Sequence, residues 1–381
     1  MTSVGQAVVR RWVSVDDPRW RQAHASTVLT VGPEVLAAWF AGTREGAPDT
    51  RVWLARRNAS GHWGVPRMVL DADEPHWNPV LAQGPDGEVW LFVKRGATIS
   101  AWSTWVARSD DGGRSWSDAV ELVPGDFGGR GPVKNPPVLL EDGTWLAPGS
   151  LEQWQDPPAW YPFVDRSTDG GRTWAPVPVP MDRAELRGAG AIQPALWSGS
   201  DGVVNALLRT TEGVAYRSWS EDGGRTWATA MPTSLPNNNS GLTVVGLPDG
   251  RAACVHNPVS GDWAPRCPLV VSVSDDDGLT WNQVVVVEDG RTPVADRPRL
   301  EPELPAEGQG FDPADGGVAT TGVGEYSYPS AVLTAEALLI TYTWQRRGVV
   351  EARVSLDLLN PSSAPETTSA GSARPLPGRT S

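Results

Sequence analysis

The chain has only two cysteines in 381 residues, Cys254 and Cys267. So few thiols disfavour a disulfide framework, and we expect both to be free, although they could face each other across a hairpin. Long apolar runs are missing too, so the sequence predicts no membrane-spanning helix. The opening stretch MTSVGQAVVRRW lacks the hydrophobic region of a secretion signal, and we therefore expect a cytoplasmic protein.

Lysine is almost absent. Of the 32 basic residues, only Lys94 and Lys134 are lysines, and the others are arginines. The two lysines lie in LFVKRG and GPVKNPP. Their rarity indicates that a compact ammonium group is required at these two places, and chance explains the pattern equally well. The formal net charge is -13. This charge disfavours nucleic acid and anionic membrane surfaces as partners.

One short pattern, in contrast, is abundant. Four octapeptides share the form S-x-D-x-G-x-S/T-W, in which an aspartate accepts turn hydrogen bonds, a glycine adopts positive φ and a tryptophan starts the next strand. They start 58, 53 and 54 residues apart, and a degenerate copy lies 53 residues before the first. The copies are SDDGGRSW from Ser109, STDGGRTW from Ser167, SEDGGRTW from Ser220, SDDDGLTW from Ser274 and, degenerate, RRNASGHW from Arg56.

A period of about 50 residues with strand-like runs in every unit is typical of a propeller with one blade per repeat. Six blades need about 330 residues, so we predict an all-β, six-bladed β-propeller over residues 1–358. A strand near residues 7–15 is expected to close the ring. Residues 288–324 are too rich in Pro, Gly and acid for a hairpin and are predicted to form an inserted loop. Residues 359–381 are predicted to be a disordered tail.

We therefore predict that the repeats have a structural role. Each turn should lie away from the central pocket, and each tryptophan should pack on its own blade. Beyond the repeats, the chain contains the stretches HASTVL, AAWFAGTREGAPD, HWNPVL, GPVKNPPVLLEDG, AIQPAL, LPNNNSG, HNP...R.PL and GEYSYPS. Together with the octapeptides, these stretches resemble the sialidase (neuraminidase) superfamily, whose BNR repeats carry such octapeptides as Asp boxes. The likeness covers about residues 20–350 and is nearest to the uncharacterised "predicted neuraminidase" branch.

Members of that superfamily hold the substrate carboxylate with three arginines and use a tyrosine, activated by a glutamate, as the nucleophile. The resemblance implies that Arg209 and Arg266 are the second and third arginines of this clamp. It implies that Tyr328 is the nucleophile, and that Asp49, in the loop GAPDT, is the acid/base.

Two positions depart from the superfamily pattern. His24 stands where the first arginine is expected, and a histidine lacks the bidentate donor pair and the fixed charge of an arginine. Gln193 stands where the glutamate should precede Arg209, and an amide cannot accept the phenol proton of Tyr328. An acidic sugar remains a suitable ligand, whereas these two departures argue against sialidase activity.

Because blade-opening strands all start near the axis, residues scattered over the chain are expected to converge there. We predict neither a metal nor a cofactor, and a carbohydrate that carries a carboxylate as the partner. The residues expected to converge are His24, Lys134, Gln193, Arg209, Arg266 and Tyr328, with Asn78, Lys94 and Asn135 as further substrate-binding candidates.

Three functions stay open at this stage. The first is a glycoside hydrolase that acts on a terminal acidic or unusual sugar, with Asp49 as acid/base and Tyr328 or water as nucleophile. The second is a polysaccharide lyase that cleaves next to a uronate, of the rhamnose-glucuronate type. In it Arg209, Gln193 or Lys134 would neutralise the carboxylate, and His24 or Tyr328 would take the C5 proton. The third is a binding propeller without catalysis.

Overall fold

The short β-rich runs between Gly, Pro and Asp-Gly turns form 24 strands in the part of the chain that the structure describes. The structure is a computed structural model. It describes residues 8–126, 128–199, 202–291, 294 and 324–360. Most of the predicted loop 288–324 and all but two residues of the predicted tail 359–381 lie outside the described residues.

The strands assemble into six antiparallel sheets of four strands each. The first sheet contains β2 (Gln22–Val31), β3 (Glu34–Gly42), β4 (Arg51–Arg57) and β5 (Arg67–Leu70). The second contains β6 (His76–Gln83), β7 (Val89–Arg95), β8 (Ser103–Ser109) and β9 (Val120–Glu121). The third contains β10 (Val138–Leu139), β11 (Trp145–Gln153), β12 (Ala159–Ser167) and β13 (Ala175–Pro178). The next two hold β14 (Ala191–Ser198), β15 (Val204–Thr210), β16 (Val214–Ser220) and β17 (Met231–Pro236); β18 (Thr243–Gly246), β19 (Ala252–His256), β20 (Leu269–Ser274) and β21 (Asn282–Glu288).

The sixth sheet joins the two ends of the chain. It contains β22 (Tyr326–Leu333), β23 (Ala337–Trp344), β24 (Gly348–Ser355) and, as its outer strand, β1 (Val8–Val15). The pairing of β1 with β24 confirms the predicted closing strand and the six-bladed all-β propeller. Two short 3₁₀ helices, Ile99–Ala101 and Leu356–Leu359, complete the described elements, and neither is long or apolar enough to cross a membrane. Cys254 and Cys267 are free thiols, as predicted.

Each Asp box is a closed hydrogen-bonded turn between the third and fourth strands of a blade. In the first box the Asp111 carboxylate accepts the backbone N–H of Arg114 at 2.8 Å and both the N–H and the hydroxyl of Ser115. Ser109 Oγ donates to the same carboxylate and accepts the N–H of Gly113. The three other boxes repeat these contacts.

The boxes also join neighbouring blades through their second glycine. The second glycine of the first box, Gly113, has φ +83°, and a Cβ there would come within 2.8 Å of Leu36 in the preceding blade. Gly171, Gly224 and Gly278 meet Trp90, Leu146 and Trp197 of their preceding blades in the same way. Positive φ and close approach together explain why this position is glycine.

The inner strands are bulged at one recurring place. The pairing register shifts between His24 and Thr27 in β2, and at the matching points of β6, β14 and β22. A non-glycine residue with positive φ sits at each bulge, and Asn239 takes this conformation just before β18. These residues are Ala25, Asn78, Gln193, Asn239 and Tyr328, with φ between 35° and 55°. Bulges re-aim side chains, and such strained residues concentrate at functional sites.

The bulges and the Asp boxes lie on opposite faces of the disc. Arg209 at the end of β15 pairs with Ile192 near the start of β14. Ser220, which opens the box of the same blade, pairs with Val204 at the other end of β15. The site residues therefore surround the inner-strand starts, and the repeats occupy the far face.

We expect Asp111→Ala to lower the melting temperature and to leave the turnover of the folded protein unchanged. The hydrogen bonds from Ser115 hold the pKa of Asp111 well below its usual value. The carboxylate therefore stabilises the fold above its unfolded pKa, and this contribution is lost as the pH falls. Thermal melts at several pH values test this, with the exposed neighbour in Asp110→Ala as the control. A loss of turnover at an unchanged melting temperature would contradict the structural role.

Candidate functional site

Arg209 and Tyr328 form the centre of the site, although 119 residues separate them. Arg209 Nη1 donates to the phenol oxygen of Tyr328 at 2.6 Å and to Gln193 Oε1 at 3.1 Å. Tyr328 and Gln193 are both bulge residues, so the strained inner strands place them beside the guanidinium. The side chains are nearly closed off, with Tyr328 8% and Arg209 2% exposed.

The rest of the Arg209 guanidinium is oriented by an amide and by aromatic rings. Its Nε donates to Asn239 Oδ1 at 2.7 Å. Its central carbon lies 5.5 Å from the ring of Trp263 and 6.0 Å from that of Trp160, within cation–π range. Among the described residues, Nη2 has no protein acceptor.

A second group of charges also lies close to Tyr328. Arg266 Nη1 donates to Glu325 Oε1 at 2.9 Å, and its guanidinium lies 5.4 Å from the Tyr328 ring. Arg346 donates from Nε to Glu325 at 3.2 Å and from Nη1 to Glu45. Burial alone would raise the pKa of Glu325, but Arg346 and Arg266 lower it overall.

The ion pairs around Tyr328 leave one arginine without a paired carboxylate. The cationic cluster, defined here as Arg209, Arg266 and Arg346, contains two arginines that pair with Glu45 and Glu325, whereas Arg209 makes no ion pair among the described residues. The positive charge of the cluster therefore exceeds the charge of the carboxylates that pair with it by one.

His24 lies next to the cationic cluster. Its ring centroid is 4.3 Å from that of Tyr328, and its Nδ1 is 2.9 Å from Thr343 Oγ1. Burial first, and then the charges of Arg346, Arg266 and Arg209, lower the pKa of His24 well below its usual value. The imidazole is therefore neutral at physiological pH.

Lys134 and Asn135 lie at the axis and bind protein groups there. Lys134 Nζ donates to Leu242 O at 2.8 Å, to Pro329 O and to Asn135 Oδ1, which uses its three protons. Asn135 Nδ2 donates to the carbonyls of Gln193 and Pro194. Burial lowers the pKa of Lys134 to about 7. Both residues connect blades, and their predicted contact with a ligand would require one of these bonds to break.

Lys94 makes none of its hydrogen bonds to Tyr328 or to the cationic cluster. Its Nζ donates to Thr104 Oγ1, Gly129 O and Arg130 O, and burial lowers its pKa to about 7. These contacts join the second blade to the start of the third, so substrate binding by Lys94 stays a prediction.

Asp49 and Asn78 are the two remaining predicted residues. Asp49 is exposed in the loop 43–50, where its carboxylate accepts the N–H and the hydroxyl of Thr43. The same loop contributes Glu45 to Arg346, so it lies on the site face. Asn78 is buried at the bulge of β6. A direct contact of either residue with the cationic cluster is not observed among the described residues.

Residues 34–340 match the family described as BNR repeat-like domain. The chain belongs to the BNR repeat-like family. A sialidase of Micromonospora viridifaciens is 29% identical over 250 residues, which make up 58% of this chain and 36% of that relative. The chain thus spans little more than a third of that curated protein.

Two solved structures resemble this BNR repeat-like chain over most of its length. A protein of unknown function from Dyadobacter fermentans is 16% identical, with a TM-score of 0.68 over 92% of this chain and 99% of that one. Trypanosoma rangeli sialidase, solved with 2,3-difluorosialic acid as a covalent intermediate, is 13% identical, with a TM-score of 0.63 over 94% of this chain and 60% of that one. At these identities the likeness shows the fold alone.

Several residues of the site were not predicted for this BNR repeat-like protein. Glu325 stands in GEYSYPS, a stretch that was noted for its tyrosine, and Arg346 follows in the hairpin WQRRG. Both are buried, which a sequence does not reveal. Glu152 is also buried, and its pKa is raised by burial although Arg209 opposes this. The other unpredicted neighbours are Asn239, Trp160 and Trp263.

Proposed function

We propose that this propeller is a glycoside hydrolase that acts on a terminal sugar with a carboxylate. The observation that carries the proposal is the contact between Arg209 and the phenol oxygen of Tyr328, with Arg266 and Arg346 beside it. In this proposal the ligand carboxylate binds the terminal nitrogens of the cationic cluster. The single surplus charge is thereby neutralised.

The chemistry assigned to the site follows from its donors. Arg209 donates to the Tyr328 oxygen and so stabilises negative charge there. In the hydrolase, the phenol proton passes to a water molecule as this oxygen attacks the anomeric carbon, and Asp49 protonates the leaving oxygen. The ionised Asp49 then takes a proton from a second water, which attacks the anomeric carbon and displaces the Tyr328 oxygen to release the sugar. Asp49 is exposed and would have to reach the leaving group from the loop 43–50.

A second candidate is β-elimination next to a uronate. It is favoured by one observation: among the described residues no carboxylate hydrogen-bonds to the Tyr328 oxygen, and the neighbouring Gln193 cannot act as a base. A Tyr328 phenolate, stabilised by Arg209, would instead take the C5 proton. The C4–O bond breaks, a C4–C5 double bond forms, and the leaving oxygen is protonated.

A single assay separates these functions. The purified protein is incubated with sialosides, uronate-ended glycans and rhamnosyl-glucuronates, and both reducing ends and the absorbance of unsaturated uronate are followed. New reducing ends without absorbance support the hydrolase, and growing absorbance supports the lyase. Binding by calorimetry without either product would make the protein a binding propeller and overturn the enzymatic proposal.

We expect Arg209→Met to weaken binding of free acidic sugars by about ten- to a hundredfold, because a hydrogen bond to a charged group contributes about 1.5 to 3 kcal/mol. The analogue whose carboxylate is reduced to an alcohol should lose much less. Calorimetry with glucuronate, N-acetylneuraminate and their reduced forms measures this.

Arg108→Met is the matched control for that variant. Arg108 is exposed, and its guanidinium lies 3.8 Å from the Trp90 ring on the second blade. The substitution therefore removes the same charge far from Tyr328. It should leave both affinities unchanged. Equal losses for acidic and neutral ligands in Arg209→Met would mean that Arg209 has a structural role only.

A further inference from the structure

Thr343 Oγ1 lies between two groups of the neighbouring inner strand. The N–H of Ala25 donates to it at 3.2 Å, and His24 Nδ1 lies 2.9 Å away. Thr343 is completely buried in β23. Among the described residues its hydroxyl has no other partner.

The buried hydroxyl therefore determines which ring nitrogen of His24 carries the proton. Thr343 Oγ1 already accepts from Ala25, and its own proton needs an acceptor. His24 Nδ1 is the acceptor within reach, so the hydroxyl donates to Nδ1 and this nitrogen is unprotonated. The neutral ring then carries its proton on Nε2. The opposite tautomer would leave a buried hydroxyl proton without an acceptor, which is costly.

We propose that Thr343 holds His24 as the neutral Nε2–H tautomer, and that His24 thereby acts as a hydrogen-bond donor to the ligand carboxylate and not as a base. The donor role rests on the proposed function, whereas the tautomer does not. His24 is the specificity-determining residue in this assignment, and Thr343 is its positioning residue.

The surroundings of the ring support this assignment. Burial and the three arginines of the cationic cluster disfavour a second proton on His24. Nε2 has no protein partner among the described residues. A neutral N–H replaces the arginine that the resemblance places here, so it gives direction to the ligand without adding charge to a cluster that already carries a surplus.

The proposal changes the choice of a proton acceptor in the lyase. A ring with its proton on Nε2 presents a donor to the ligand and cannot take a C5 proton through that atom. Of the two bases considered from the sequence, His24 and Tyr328, only Tyr328 then remains.

Nitrogen NMR of histidine-labelled protein tests the tautomer directly. The chain has 4 histidines, and single histidine-to-glutamine variants assign their signals. We expect a pyridine-type Nδ1 and a pyrrole-type Nε2 for His24 at neutral pH, retained as the pH falls through the usual histidine value of about 6.5 because the pKa of His24 is lowered. A pyrrole-type Nδ1 or an imidazolium signal would overturn the proposal.

Binding of glucuronate and N-acetylneuraminate tests the donor role. His24→Phe should weaken the acid that binds by about ten- to a hundredfold. Thr343→Val should mix the tautomers in the NMR spectrum and weaken binding by a smaller factor, and Thr343→Ser should restore both. Thr341→Val is the matched control, since Thr341 is equally buried in β23 and its hydroxyl is unpaired within the described structure.

The outcomes remain distinguishable if a variant does not fold. Wild-type NMR alone decides the tautomer, and a shift of the His24 Nε2 signal on adding the acid reports the contact. An Nε2–H tautomer with unchanged binding in His24→Phe would overturn the donor role. If neither acid binds the wild type, the donor role falls together with the proposed function, and the NMR result still decides the tautomer.

Discussion

Tyr328→Phe is expected to lower kcat by about 10²- to 10⁴-fold on whichever glycan the protein cleaves. The change removes only the phenol oxygen that accepts the hydrogen bond from Arg209 at 2.6 Å. This oxygen is the nucleophile of the hydrolase and the base of the lyase, so both functions require it. The aromatic ring between Arg209 and Arg266 stays in place, and KM should change by only a few-fold. Steady-state kinetics on the reactive glycan measure both parameters.

Tyr216→Phe serves as the matched control. Tyr216 lies on β16, where it pairs with Leu208 and packs against the apolar layer of its blade. Its loss of a hydroxyl should leave kcat and KM as in the wild type. An unchanged kcat in Tyr328→Phe, with a folded protein, would mean that another group does the chemistry.

The propeller could be predicted because its determinants are local and repeated. Each box needs a serine, an aspartate, a glycine and a tryptophan at fixed spacing, and the observed bonds of Asp111 and Ser109 are made within that octapeptide. The contact of Gly113 with Leu36 could not be predicted in the same way. It depends on how two blades pack, and the two residues are distant in the sequence.

The site could be predicted only in part, for a related physical reason. The sequence predicted Arg209 and Tyr328 for one site because both lie in stretches that resemble those of sialidases. Arg346 was missed because it reaches the site from a hairpin turn after β23, and it is recognisable only through its ion pairs with Glu325 and Glu45. Lys134 was found by its rarity, but a sequence does not reveal that backbone carbonyls take its protons.

Glu325→Gln is expected to reduce the free energy of unfolding by about 3 to 5 kcal/mol, because removing one partner of a buried ion pair leaves charge uncompensated. Here two guanidinium groups, those of Arg266 and Arg346, would lose their shared carboxylate. Denaturant unfolding measures the change. The exposed pair of Glu336 and Arg353 provides the control, since Glu336 is 82% exposed and Glu336→Gln should change stability by about 1 kcal/mol or less.

The pH dependence and the ligand response of Glu325→Gln identify the cause of this loss. The folded pKa of Glu325 is lowered by Arg346 and Arg266 against the effect of burial, so its contribution is present above the unfolded value of 4.5 and is lost as the pH falls. The difference in the free energy of unfolding between wild type and variant should therefore narrow below about pH 4.5.

The variant also raises the surplus of the cationic cluster from one positive charge to two. A carboxylate ligand such as glucuronate should then stabilise the variant more than the wild type. A variant as stable as Glu336→Gln, with the same ligand response as the wild type, would mean that Glu325 does not hold the cationic cluster together.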